Sequence, residues 1–190
     1  MIDLLKEVGR GKRGARDLTY EEARRAAELI VEGGATDAQT GAFLVAERVK
    51  MENEDEIAAF ADVLRRHALR RPLPGAVDCA GPYDGRAKSF FATLPAAFLL
   101  AACGVPAALH GSRALPPKWG VTLPDILGVW GVDCNTPAGL ERLLAAGDET
   151  GVQFVPAELG CPPLARMREI RTQLGLRTVF NTAEKLMRYA

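Results

Sequence analysis

Residues Val77 to Arg113 read VDCAGPYDGRAKSFFATLPAAFLLAACGVPAALHGSR, and the fold turns on how this stretch divides. Ala76 to Ala80 is a short strand-forming run. Gly81-Pro82-Tyr83-Asp84-Gly85 then supplies two glycines, a proline and an aspartate, all turn formers. Arg86 and Lys88 follow, and Ser89 or Thr93 is placed to cap an apolar helix running to Cys103, where Gly104 stops it. Pro95 favours the later start, because proline is tolerated only in a first turn. Ala107 to Leu109 forms a second strand and ends in His110-Gly111-Ser112-Arg113. The whole is a βαβ unit, whose ligand crevice lies at the carboxyl ends of its parallel strands. Both polar loops fall at that end, and a glycine turn entering a helix beside Arg86 and Lys88 suits phosphate or another anion.

Outward from this unit, composition sets bounds. The chain has 190 residues, enough for one domain or for a small domain joined to part of a larger one. Twenty-four basic residues balance twenty-four acidic ones, which argues against polyanion binding by overall charge but leaves room for a local basic groove. No apolar run is long enough to span a membrane, and Met1 to Glu7 lacks the apolar core of a signal peptide. The expectation is a cytoplasmic protein without a membrane partner. Cys79, Cys103, Cys134 and Cys161 are widely spaced, which fits reduced thiols rather than a metal site.

Residues 1 to 74 read as helical. Ile2 to Val8 is a short helix, and Thr19 with Glu22 and Thr36 with Gln39 are capping-box pairs opening helices to about Val31 and Lys50. Glu54 to Leu69 carries Ile57, Phe60, Ala61 and Leu64 at helical spacing. Such helices close a core only by packing on each other and on something else, either the α/β part or a second copy. Between the first two helices lies Gly9-Arg10-Gly11-Lys12-Arg13-Gly14-Ala15-Arg16. It matches GxGxxG by letter, but no strand precedes it and no helix opens from it, so the dinucleotide reading fails. It is either a solvated loop or a cationic arm for phosphates. Pro72-Leu73-Pro74-Gly75 links this bundle to the first strand.

Beyond Arg113 the chain alternates again. Thr122 opens a helix through Trp130, Thr136-Pro137 opens another to about Ala146, and Val152 to Val155 is a strand. Pro162-Pro163 opens a helix to Leu174, ended by Gly175, and Thr182 to Met187 is a last helical stretch. The fold class is α/β: a helical bundle over 1–74 and a mostly parallel α/β domain over 75–190.

With these segments in order, the chain resembles the anthranilate phosphoribosyltransferase superfamily, glycosyltransferase family 3. The resemblance rests on the glycine turn Gly81 to Gly85, His110-Gly111-Ser112-Arg113, Asp125-Ile126-Leu127-Gly128-Val129-Trp130-Gly131, and Leu174-Gly175-Leu176-Arg177-Thr178-Val179-Phe180-Asn181. Glu7 to Leu18 and Gly160-Cys161-Pro162-Pro163-Leu164-Ala165 look closest to a branch outside tryptophan synthesis, some of whose members bind nucleic acid as homodimers.

The resemblance implies a nucleoside-phosphorylase-type α/β domain, here truncated, and a homodimer through the helical part. It implies phosphate or ligand contact at Gly81, Asp84, Gly85, His110, Gly111, Ser112 and Arg113. It also implies acceptor contact at Arg171, for which a solvated helix face is the alternative. Arg86, Lys88 and Lys118 form a looser cationic rim with Ser89 as a further ligand contact, and Arg10, Lys12, Arg13 and Arg16 would meet nucleic acid.

Departures from the pattern matter as much. The family's GTGGD turn is Ala80-Gly81-Pro82-Tyr83-Asp84 here, its NxST becomes Phe91-Ala92-Thr93-Leu94, and its lysine before HG is Leu109. Proline removes an amide donor, and the family's magnesium-holding Asp-Glu pair lies beyond residue 190. The expectation is therefore a family member that binds phosphate-containing ligands or single-stranded nucleic acid, with no cofactor and no efficient transfer. The alternative is an active phosphoribosyl or pentosyl transferase on an aromatic acceptor, using magnesium.

Overall fold

The computed structural model describes residues 1–11 and 13–190. They form two compact units: residues 1–67 with 166–187, and residues 68–165 with 188–190.

In the first unit the helices are α1 (Ile2–Val8), α2 (Tyr20–Val31), α3 (Asp37–Lys50) and α4 (Glu54–Arg66). Three of them start on reciprocal capping boxes. Thr19 pairs with Glu22 and Thr36 with Gln39, as their spacing predicts. The third, Asn53 with Glu56, goes beyond the sequence expectation; each side chain bonds the other's backbone N–H at 2.9 Å. α4 ends at Arg66, short of the expected Leu69.

The core of this unit is not closed by residues 1–74 alone. Phe43 stacks on Phe60, and Phe60 meets Phe180 edge-on at 5.5 Å. The Arg166 guanidinium bonds the Val31 carbonyl, and Leu174 and Ile170 lie beside Gly41 of α3. Residues 166–187, within the expected second domain 75–190, pack against the apolar face of the helical unit. Sequence periodicity names an apolar stripe but not its partner.

The second unit holds β1 (Val77–Ala80), α5 (Thr93–Ala102), β2 (Ala107–Gly111), α6 (Leu123–Val129), α7 (Pro137–Thr150), β3 (Val152–Pro156) and α8 (Ala157–Gly160). The strands are parallel in the order β1-β2-β3, with Leu109 beside Cys79 and Phe154. One sheet face, through Ala107, Leu109 and Phe154, packs with Phe91, Leu94, Leu123 and Leu143. Thr136 caps α7 with Pro137 at its first position, and Gly151 ends it at φ +74. The chain then continues as α9 (Pro162–Leu174), α10 (Phe180–Ala183) and a 3₁₀ turn, Glu184–Leu186.

Neither Ser89 nor Thr93 caps α5. Its N-cap is Ala92, with no side-chain cap bond. Upstream, Arg86 forms an isolated antiparallel bridge with Val121, and the chain then passes through bends at 87–89 before the helix begins at Thr93. Among the described residues no helix is long and apolar enough to cross a membrane.

Candidate functional site

The strand ends bring together three segments: the turn after β1, the loop after β2 and the start of α8 after β3. The turn is closed by its own bonds. Gly81 N–H donates to the His110 carbonyl at 3.0 Å, Gly85 N–H to the Pro82 carbonyl at 2.9 Å, and Arg86 N–H to the Val121 carbonyl at 2.8 Å. Pro82 has no N–H to offer. Gly120 N–H donates to the Asp84 carbonyl, laying the 115–121 loop across the turn. Gly85 is required there: it sits at φ +74, and a Cβ would overlap the Gly120 carbonyl. Asp84 is buried, with the Lys118 ammonium 3.4 Å from its carboxylate oxygens.

His110 is fully buried, and both ring nitrogens are engaged. Nδ1 meets the Tyr83 hydroxyl at 2.7 Å and Nε2 meets Asp78 Oδ1 at 2.9 Å. One assignment satisfies all three groups: the hydroxyl donates to Nδ1, and Nε2–H donates to the carboxylate. Tyr83 and Tyr189 pack their rings against the imidazole. Burial and two internal partners hold His110 as a satisfied structural histidine would be held, which is the alternative to ligand contact at this position.

Gly111 closes the ladder opposite Pro156. Ser112 is buried, and its hydroxyl donates to the Glu158 carboxylate; Arg113 beside it is exposed. Arg86, Lys88 and Ser89 do not rim the crevice. They line an apolar groove of about 760 Å³ with Phe90, Phe91, Phe98 and Trp130. Arg86 bonds Ser89 Oγ at 3.1 Å and lies over the Phe91 ring, 5.6 Å from its centroid.

Arg171 belongs to the helical unit. It is 3% exposed and grips Glu184 with two bonds of 2.6 and 3.0 Å, over the Phe180 ring. Burial corrects the solvated-face expectation, and the guanidinium is paired with Glu184 within the helical unit. Two cations of the basic arm are also paired internally. Arg10 pairs with Glu7, and Arg16 pairs with both Glu7 and Glu22, whose carboxyl falls to about 2 through its bonds to Arg16. Arg13 is exposed, and Lys12 lies outside the described residues.

Nearby, Lys50 meets Asp17, Glu47 and Glu56, and Glu56 also accepts the Leu18 N–H. Burial, reinforced by Glu56, pushes the Glu47 carboxyl well above the ordinary carboxylate range. Burial likewise raises the thiols of Cys79 and, to about 11, Cys134, so neither is an activated nucleophile.

Asp78, Tyr83, Glu158 and Glu184 escaped sequence reasoning. Asp78 was recoverable, since β1 alternation puts it on the face of Ala80, the register partner of His110. Glu158 was recoverable as a polar residue just past a parallel strand. Glu184 carried no local signal.

The chain thus joins a helical bundle to a parallel α/β unit with polar loops at its strand ends. Family models agree: residues 2–68 match the glycosyl transferase family helical bundle domain, and residues 73–187 match its a/b domain. The chain belongs to that family. It is 40% identical over 166 residues to an anthranilate phosphoribosyltransferase of Methylobacterium sp. (strain 4-46), covering 86% of this chain and 48% of that one. It is 39% identical over 168 residues to the bifunctional protein TrpGD of Thermotoga maritima, covering 87% of this chain and 28% of that one. Among solved structures, anthranilate phosphoribosyltransferase from Thermus thermophilus superposes with a TM-score of 0.80 at 33% identity, over 99% of this chain and 55% of that one. The Saccharomyces cerevisiae enzyme in complex with PRPP (phosphoribosyl pyrophosphate) and Mg shares the fold, with a TM-score of 0.75 at 20% identity over 99% of this chain and 55% of that one. The chain spans about half the length of most of these relatives.

Proposed function

We propose that the chain carries the strand-end half of a phosphoribosyltransferase-type site and holds phosphate-bearing ligands there weakly, without efficient transfer. The observation that supports this is the use of the turn's amides. Gly81, Gly85 and Arg86 spend their N–H groups inside the protein, and Pro82 has none. A diphosphate leaving group needs such donors aimed at it when its charge develops. Arg113 and Lys118 are exposed cations at the same strand ends, where Ser112 bonds Glu158.

Magnesium enters the question because the yeast structure carries it with PRPP. Among the described residues no three carboxylate, histidine or cysteine side chains converge to hold an ion, and Lys118 occupies the cation position beside Asp84.

The alternative, an active phosphoribosyltransferase, is favoured by the 37–40% identity to curated anthranilate phosphoribosyltransferases and by the intact Asp84-Gly85 end of the turn. Calorimetric titration with PRPP and magnesium, followed by pyrophosphate release on adding anthranilate, separates the two. Weak, salt-sensitive binding that Lys118→Ala and Arg113→Ala reduce, with negligible pyrophosphate, supports the first reading. Tight binding with turnover establishes the second.

A homodimer remains part of this reading. An apolar hollow of about 980 Å³ on the helical unit, lined by Ile2, Leu5, Val45, Ala46 and Leu174, supports self-association through that face. Sedimentation analysis of Val45→Glu should show a shift to monomer. Nucleic-acid binding through the 9–16 segment has less support, because Glu7 and Glu22 pair with Arg10 and Arg16 there.

A further inference from the structure

Trp119 is held against both of its physical preferences. Its backbone sits at φ +50, a left-handed conformation that glycine or asparagine adopts far more cheaply than a bulky residue. Its indole is 54% exposed, so burial recovers little of that cost. Trp130 is similarly exposed, but it caps α6 at an ordinary φ of −86.

The surroundings fix this conformation. Leu115 and Pro116 are buried ahead of it. Trp119 N–H donates to the Leu115 carbonyl at 3.1 Å, and Val121 N–H to the Arg86 carbonyl at 3.0 Å. Gly120 lies so close to the polar turn that a Cβ there would meet the Arg86 nitrogen at 2.6 Å. The loop is therefore anchored on both sides of Lys118 and Trp119 and reverses between the anchors. A reversal needs a positive φ, but it does not need an indole; glycine would supply it without placing a large ring in water. Strain that the surrounding structure over-determines is characteristic of places where a side chain is presented to a ligand.

The same bonds set what the indole is presented beside. Gly120 N–H on the Asp84 carbonyl, at 3.0 Å, ties this part of the loop to the turn after β1, at the carboxyl ends of the parallel strands. Lys118 is exposed and lies 3.4 Å from the buried Asp84 carboxylate, and exposed Arg113 stands at the start of the same loop. One exposed flat ring and two exposed cations on one loop suit a ligand that carries an aromatic ring and an anion. A base stacked on an aromatic side chain, with phosphate on neighbouring cations, is held without any contact to the base edge. Two cations, one of them shared with Asp84, match the charge of a single phosphate. We propose that Trp119 is a stacking platform and that the phosphate-bearing ligand of this site is a nucleoside monophosphate, its base on the indole and its phosphate beside Lys118 and Arg113. This rests on the phosphate reading above and adds the ring to it.

The test is a calorimetric titration of the 190-residue chain with adenosine 5′-monophosphate, and with ribose 5-phosphate as the part-ligand that lacks the base. The nucleotide should bind at least about tenfold more tightly than ribose 5-phosphate. The chain has two tryptophans, so in Trp130→Phe all indole emission comes from Trp119, and the nucleotide should quench it. Trp119→Ala should remove the tenfold advantage and leave ribose 5-phosphate binding unchanged, whereas Trp119→Phe should restore most of the advantage. Trp119→Gly keeps the positive φ; it should lose the advantage with a melting temperature no lower than that of the parent chain. Arg113→Ala with Lys118→Ala should weaken both phosphates alike. Equal affinity for the two phosphates, or an advantage that survives Trp119→Ala, overturns the platform and leaves the phosphate reading standing. Binding of neither phosphate overturns both. A short oligonucleotide that binds at least about tenfold more tightly than the mononucleotide assigns the ring to a nucleic-acid strand and overturns the proposal equally.

Discussion

The two units of this chain treat their difficult groups in opposite ways. The helical unit buries charge and wires it internally. Arg171 with Glu184, and Lys50 with Glu56 and Asp17, each have partners within reach. The α/β unit wires its polar turn internally as well, but leaves one strand and much of an apolar helix in solvent. The contrast shows that a polar cluster can be complete on a local scale while an apolar layer is not. Hydrogen bonds are satisfied by one or two neighbours, whereas a sheet face and a helix need whole elements to cover them.

The sharpest way to break this comparison is Arg171→Ala. Removing the guanidinium takes the bidentate counter-charge from buried Glu184 and should cost about 3–5 kcal/mol, read by urea denaturation. A cost below about 1 kcal/mol would mean that water already reaches this pair and that the helical unit is no better sealed than the other. Gly85→Ala comes next. It places a side chain at positive φ against the Gly120 carbonyl, and a loss of roughly 1–3 kcal/mol is expected, with the 115–121 loop displaced in amide exchange.

Glu47→Gln sharpens the comparison through pH. Because burial raises the Glu47 carboxyl in the folded state, its contribution is complete below the ordinary carboxylate range and is lost as pH rises through the higher folded value. Thermal melts of the native chain should therefore fall as pH climbs from about 5 toward 9, and the glutamine variant should flatten that slope. An unchanged slope would place the proton elsewhere in the Lys50 cluster. The smallest effect belongs to Phe98→Ser, on the open face of α5. It should alter the stability of the chain alone by no more than about 0.5 kcal/mol. A large loss would show that this face is covered after all.

Much of the α/β unit could be read locally. The βαβ stretch, the capped helices and the strand at Val152 carry their signals within a few residues, in turn formers, caps and alternation. The candidate site was legible as a place but not as a set of contacts. Asp84, Gly85 and Ser112 sit at the strand ends as their positions predict, whereas Arg86 and Lys88 turn into the groove because Arg86 bridges to Val121, thirty-five residues away. His110 was legible as a strand-end residue. Its engagement by Tyr83 and Asp78 was not, since three separate segments must meet to make it.

By itself the sequence determined which elements form, their order and the family to which the chain belongs, because caps, glycines and apolar periods act over one or two turns of chain. Only the tertiary structure decided that residues 166–187 complete the helical core, that Glu184 rather than a ligand meets Arg171, and that β1 stands uncovered while β3 does not. Those outcomes depend on which distant surfaces meet, and burial energy depends on the area two surfaces exclude from water rather than on either surface alone.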